Sequence, residues 1–231
     1  MSKNILIAGA SGDIGFFLAQ QWQKNGFTVY GFGRRKSTLQ KADFKYFSLD
    51  ISNQEEVKIF LSGIKKEKFN IDVFINCIGN EESVQIGFLN KSKMETAFSE
   101  KITPLVLFSR EIVHLMMVQQ KGMLINLSSV IASLANTGSV LYGMTKVSTE
   151  YFFRVIDREY SKMGIRACSV RLPIVLETQM AMNLNPLTRD FIKQELKNTT
   201  TEVRLSDVYK FVEDIVFESK QIPENQTFEW Q

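Results

Sequence analysis

The sequence predicts an α/β fold, a doubly wound, mostly parallel sheet of seven strands with helices on both faces. Short apolar runs alternate along the chain with longer stretches of helical period. A glycine-rich turn joins the first apolar run to the first helical stretch. The 231 residues, 44% of them hydrophobic, suffice for one large core. No repeat, low-complexity segment or Pro/Gly-rich linker marks a boundary, so the expected organisation is a single domain over residues 1–231.

The expected strands are residues 4–8, 28–32, 45–49, 73–77, 123–127, 165–172 and 227–230. Between the first two, Ile14, Phe17, Leu18 and Trp22 recur at three- and four-residue steps, which predicts an amphipathic helix that Asn25-Gly26 can end. The same period at Val57, Phe60, Leu61 and Ile64 predicts a second helix. Val208, Phe211, Val212 and Ile215 predict a third, with Ser206 as its cap. A long helix is expected over 92–120. The least regular stretch, 177–201, holds Met180, Met182 and Pro186 and is expected to be a mobile substrate lid.

Composition narrows the function. A net charge of +3, from 28 basic and 25 acidic residues spread along the chain, argues against nucleic-acid and membrane-surface partners. Cys77 and Cys168 each sit in an apolar run and read as small core residues, and one histidine excludes a histidine-cluster metal site. No run approaches the ~18 consecutive apolar residues of a membrane span, and Ile5 to Ala8 leads into glycines rather than a cleavage site, so a cytoplasmic location is expected. His114, among apolar residues, reads as structural or surface, and Glu81-Glu82 as a solvated loop pair. Met116, Met117, Met123 and Trp22 read as core, and Trp230 as terminal-strand packing or a subunit contact.

Two constellations carry chemistry. Gly9-Ala10-Ser11-Gly12-Asp13-Ile14-Gly15 follows a strand and opens a helix. Glycines there permit a tight turn and close approach to a diphosphate, while the free N–H groups of the helix start attract the anion. This is the signature of a Rossmann-like dinucleotide-binding domain. At the end of the second strand, where NAD sites usually carry an acid, the chain reads Gly33-Arg34-Arg35. A guanidinium can grip a ribose 2′-phosphate with forked hydrogen bonds, so NADP(H) is the expected cofactor.

The second constellation is Tyr142-Gly143-Met144-Thr145-Lys146, with Ser129 13 residues upstream of Tyr142. Residues four apart share a helix face, which sets the phenol and the ammonium in one cleft. An ammonium and an oxidised nicotinamide nearby would both favour the phenolate, making tyrosine usable as a proton donor and acceptor.

Together these motifs resemble the short-chain dehydrogenase/reductase family, in its short single-domain branch, over essentially the whole chain. Asn76-Cys77-Ile78-Gly79 resembles the segment that follows the family's fourth strand, fixes the sheet and borders the cofactor. Leu49-Asp50-Ile51 resembles the segment that contacts adenine, and Leu172-Pro173 with Thr178 the segment near the nicotinamide amide. The closing residues 225–230 are similar to its last strand.

The resemblance implies hydride transfer between nicotinamide and a carbonyl or alcohol carbon. Tyr142 would then be the acid/base, Lys146 its activator and ribose ligand, and Ser129 the hydroxyl that orients the carbonyl oxygen. It also implies a small-molecule substrate and a homodimer or homotetramer built on two long helices. Three departures stand out: Gly-x-x-Gly-x-x-Gly spacing, nearer to the family's extended or atypical branches; Lys101 where an asparagine is usual; and Ile174 where glycine follows proline. The spacing admits nucleotide-sugar epimerase or dehydratase chemistry as an alternative, against which the short C-terminal portion argues. Lys101 and Ile174 admit a nucleotide-binding sensor or scaffold.

Overall fold

The computed structural model describes residues 3–36, 42–79, 83–134, 136–196 and 200–230. Its centre is a parallel sheet in the order β3-β2-β1-β4-β5-β6-β9. These strands are β1 (Asn4–Ala8), β2 (Thr28–Gly33), β3 (Lys45–Ser48), β4 (Val73–Asn76), β5 (Gly122–Ser129), β6 (Ile165–Leu172) and β9 (Thr227–Glu229). The seven expected strands are these seven, shifted by one or two residues at some ends. Because side chains alternate along a strand, Ile5, Ile7, Val73 and Ile75 enter one core while Leu6, Ala8 and Phe74 enter the other.

Helices α1 (Asp13–Lys24) and α8 (Leu205–Val216) cover the first core through Trp22, Val208 and Val212. Helices α2 (Gln54–Lys66), α4 (Thr103–Gln119) and α5 (Val140–Tyr160) cover the second through Phe60, Phe108 and Phe153. Helix α1 stops at Asn25, and Gly26 takes a φ of +82°, where a side chain would be strained. The cap of α8 is Arg204 rather than Ser206: its N–H donates to Asp207 Oδ2 at 2.8 Å, so the helix starts two residues earlier than expected.

The helix expected over 92–120 is two helices. Helix α3 (Lys91–Ala97) and α4 are joined by a wide π turn at Phe98–Ile102. Pro104 causes the break, since it has no N–H to donate and its ring excludes the carbonyl four residues back. By length and composition this stretch is apolar enough to cross a membrane, but Phe108, Ile112 and Met116 on it are buried against the sheet.

The irregular stretch 177–201 contains two ordered helices, α6 (Gln179–Met182) and α7 (Pro186–Glu195). It is bracketed by a two-stranded sheet of β7 (Ile174–Val175) and β8 (Glu202–Val203). A row of buried polar side chains crosses the main sheet at one level: Asn76 Nδ2 donates to Asn126 Oδ1 at 2.9 Å and Asn126 Nδ2 to Ser169 Oγ at 3.2 Å, each pair being register partners. Trp22 is core, Trp230 stacks on Phe211 at 4.5 Å, Met116 is buried, and His114 is exposed.

Candidate active site

Strand order reverses between β1 and β4, both parallel, and it is beyond the carboxyl ends of strands at such a reversal that open parallel sheets hold a ligand crevice. The glycine turn lies there. Gly9 has a φ of +78°, its N–H and that of Ala10 both donate to Phe32 O, and a Cβ on it would stand 2.9 Å from the Cys77 carbonyl carbon. A Cβ on Gly15 would stand 2.5 Å from Gly9 O, so α1 starts tight against the turn. The first turn of any helix leaves N–H groups without partners inside it, and here Asp13, Ile14 and Gly15 supply them to the crevice. A cofactor diphosphate fits this donor set. Ser11 sits close over Gly33, where a Cβ would meet its Oγ at 2.5 Å.

Asp13 has a second engagement that the sequence did not reveal. Its Oδ2 accepts from the Gln179 N–H at 2.8 Å, tying the start of α6 to the glycine turn. Arg34 and Arg35 follow β2 and are exposed. Asp50, after β3, turns Oδ1 to Ser52, accepting from its N–H at 3.0 Å and its hydroxyl at 2.8 Å; Ile51 is half-buried in the second core.

Ser129 ends β5, and Tyr142 and Lys146 stand on the first two turns of α5. The Lys146 Nζ lies 5.6 Å from the Tyr142 ring centre and donates to Leu127 O, two residues before Ser129, at 2.9 Å. Burial lowers the Lys146 ammonium to about 8, and Glu150 one turn along the helix opposes that fall. Cys77 faces the same ammonium, but burial pushes its thiol up to about 12, so it stays neutral there. Gly79 leaves room for the lysine, since a Cβ on it would stand 2.8 Å from Nζ. Ser129 Oγ accepts from the Ile131 N–H at 3.3 Å, which leaves its proton to donate elsewhere.

Other expected site residues have structural engagements of their own. Asn76 Oδ1 accepts from the Ile78 N–H at 3.1 Å while its amide joins the buried row, so its side chain shapes the crevice wall. Pro173 is buried; the Thr178 hydroxyl caps α6, donating to Val175 O at 2.8 Å and accepting from Ala181 N–H at 3.1 Å. Ile174 packs with Val130, Ile131, Tyr142 and Ala181, filling a small apolar cluster around the tyrosine. Lys101 is half-buried in the π turn, which packs on α5. Glu81-Glu82 lie outside the described residues.

Sequence reasoning missed the charges behind the site. Glu150, buried, accepts from the Ser128 hydroxyl at 2.5 Å and from Arg171 Nε and Nη2 at 3.0 and 2.8 Å; Arg171 also pairs with Glu229. The available signal was the four-residue step from Tyr142 to Lys146 to Glu150. A narrow cleft beside Tyr142 is lined by Ser83, Ile131, Asn136, Ser139 and Thr188 of α7. A larger cavity of about 620 Å³ shares Ile131 and the 136–139 turn with it.

Known proteins share this fold. The short chain dehydrogenase family matches residues 3–188. Serine 3-dehydrogenase from Rhizobium radiobacter is 28% identical over 217 residues, 83% of this chain and 85% of that one. The 3-oxoacyl-[acyl-carrier-protein] reductase FabG of Vibrio cholerae is 25% identical over 189 residues, 79% of this chain and 77% of the reductase. Among solved structures, 4-hydroxyisoleucine dehydrogenase complexed with NADH superposes with a TM-score of 0.86 at 20% identity, covering 100% of this chain and 97% of that one. ElxO with NADP bound gives 0.83 at 19%, with coverages of 100% and 97%. The match over residues 3–188 leaves one conclusion: the chain belongs to the short chain dehydrogenase family and is an oxidoreductase acting between CH–OH and C=O groups.

Proposed function

We propose that this protein is an NADPH-dependent carbonyl reductase in which Tyr142 is the acid/base, Lys146 its activator and Ser129 the group that holds the substrate oxygen. The observation that carries the reading is the buried Lys146 ammonium set beside the Tyr142 ring at the mouth of the nucleotide crevice. When bound, the cofactor supplies hydride to the carbonyl carbon. The Tyr142 hydroxyl gives its proton to the carbonyl oxygen, Ser129 donates a hydrogen bond to that oxygen as charge develops, and Lys146 favours the resulting phenolate until solvent reprotonates it. Gly9 to Gly15 would hold the diphosphate and Arg34, with Arg35, the 2′-phosphate. Asp50 and Ile51 would border the adenine; Asn76, Gly79, Pro173 and Thr178 would border the nicotinamide end.

The reading extends to the assembly and the lid. Met144, Val147 and Tyr151 form an exposed stripe on α5, and Leu107 and Val118 are exposed on α4, which supports a homodimer or homotetramer through these helices. Thr188 walls the Tyr142 cleft, which supports opening of 177–201 as the substrate's entry. A cytoplasmic location is part of the proposal. The test is Tyr142→Phe: turnover of a carbonyl panel is expected to fall by on the order of 10²–10⁴ with NADPH affinity nearly intact. Unchanged turnover refutes the assignment, and tight NADPH binding by the wild type without any oxidation favours the sensor reading.

A further inference from the structure

Six buried side-chain polar atoms lack a hydrogen-bond partner among the described residues, and only one of them, Asn136 Oδ1, lies on a residue that lines the cleft at Tyr142. Buried acceptors are almost always satisfied, so an orphan of this kind has a reason to be kept. The backbone around it is fixed. Asn136 O accepts from the Ser139 N–H at 3.2 Å and the Ser139 hydroxyl at 2.8 Å, and the Val84 N–H donates to Gly138 O at 2.8 Å. The oxygen is therefore held by a locked turn rather than carried on a loose loop. Its described neighbours in the cleft are neutral: Ser83, Thr137, Ser139 and Thr188 bring hydroxyls, and among the described residues no charged side chain lines the cleft.

We infer that Asn136 is a specificity-determining residue whose Oδ1 accepts a hydrogen bond from a hydroxyl or amino group on the carbon next to the substrate's reacting carbonyl, so that the preferred substrates are small α-hydroxy- or α-amino-carbonyl compounds. This rests on the Tyr142 reading, because it is Tyr142 that marks the cleft as the reacting end. An acceptor with no partner penalises any substrate that brings only a methyl group to it, since the oxygen then stays desolvated and unpaired. A substrate that brings a donor removes that penalty. Discrimination of this polar kind is larger than that from a single methylene in an apolar pocket.

The test pairs 1-hydroxypropan-2-one with butan-2-one, equal in heavy atoms and differing by a hydroxyl for a methyl. The wild type is expected to favour the hydroxyketone by about tenfold or more in kcat/KM. Asn136→Leu should bring the ratio near one, and Asn136→Asp, which keeps an acceptor oxygen, should retain the preference. Cofactor affinity and melting temperature of both variants report whether each is folded. A preference unchanged in Asn136→Leu overturns the inference. The same two ketones are compared by ligand-observed NMR on the cofactor-loaded Tyr142→Phe protein. Selective binding of the hydroxyketone that vanishes on adding Asn136→Leu upholds the role of Asn136 even if the wild type turns over neither ketone, an outcome that would sink only the Tyr142 reading. Equal binding of the two, or binding of neither, overturns the inference.

Discussion

Replacing Lys146 by methionine is expected to remove turnover and at the same time to stabilise the cofactor-free protein at neutral pH. Lys146 is 7% exposed, and burial lowers its ammonium from the ordinary 10.5 to about 8. Between those values the unfolded chain still holds a proton that the folded chain has released, so folding stability rises with pH across that window. At about 1.4 kcal/mol per pH unit, carrying the buried charge costs the fold about 3 kcal/mol below pH 8, and the cost fades as pH approaches 10.5. Methionine of similar length escapes it. The variant also loses the bond from Nζ to Leu127 O, a pH-independent offset of about 1 kcal/mol that lowers the gain without altering its slope. Urea denaturation of wild type and Lys146→Met at pH 7, 8, 9 and 10 measures the difference. The advantage of the variant should be about 2 kcal/mol at pH 7 and should shrink steadily above pH 8. A difference that stays flat from pH 7 to 10 would refute the claim that Lys146 carries a desolvated charge.

Three other outcomes follow from the same geometry. Gly79→Ala places a Cβ 2.8 Å from the flexible end of Lys146, so the ammonium has to move; turnover should fall at least tenfold with a loss of stability under about 1 kcal/mol, read by kinetics and thermal melting together. Glu150→Ala strips Arg171 of its buried partner and should cost about 3 kcal/mol in chemical denaturation, most of which a Glu150→Met, Arg171→Met double variant should recover. Arg34→Ala should weaken NADPH binding by on the order of tenfold or more and NADH binding little, as measured by fluorescence titration; equal losses would make Arg34 a structural residue.

The sheet was legible because each strand is an apolar run whose alternate residues serve two cores, and the nucleotide turn because its glycines stand between a strand and a helix. The placing of Tyr142 and Lys146 on one helix after Ser129 was legible from their spacing, and the roles proposed for them come from the resemblance. What lay hidden depends on contacts distant in sequence. Glu150, Arg171 and Glu229 are separated by 21 and 58 positions along the chain, and only the crossing of α5 over β5 and β6 brings them together. The sheet of β7 and β8 has two residues per strand, too few for any periodicity to show. The break at Phe98–Ile102 did have a signal in Pro104, which the continuous apolar period over 92–120 masked. Thr178 stood out in the sequence only through the resemblance, and its hydroxyl caps α6, a role that the fold alone reveals.

The row formed by Asn76, Asn126 and Ser169 restricts how this protein can change over evolutionary time. Exchanging Asn126 alone for leucine would strand the Asn76 amide and the Ser169 hydroxyl in a waterless interior, at about 1–3 kcal/mol for each orphan, so each single step away from the row is disfavoured even where an all-apolar row would pack well. The three positions are expected to drift only as a set. Across divergent descendants of this chain they should covary while the apolar residues above and below them exchange freely, and a strand transplanted from a relative should graft well only when it brings a matching member of the row.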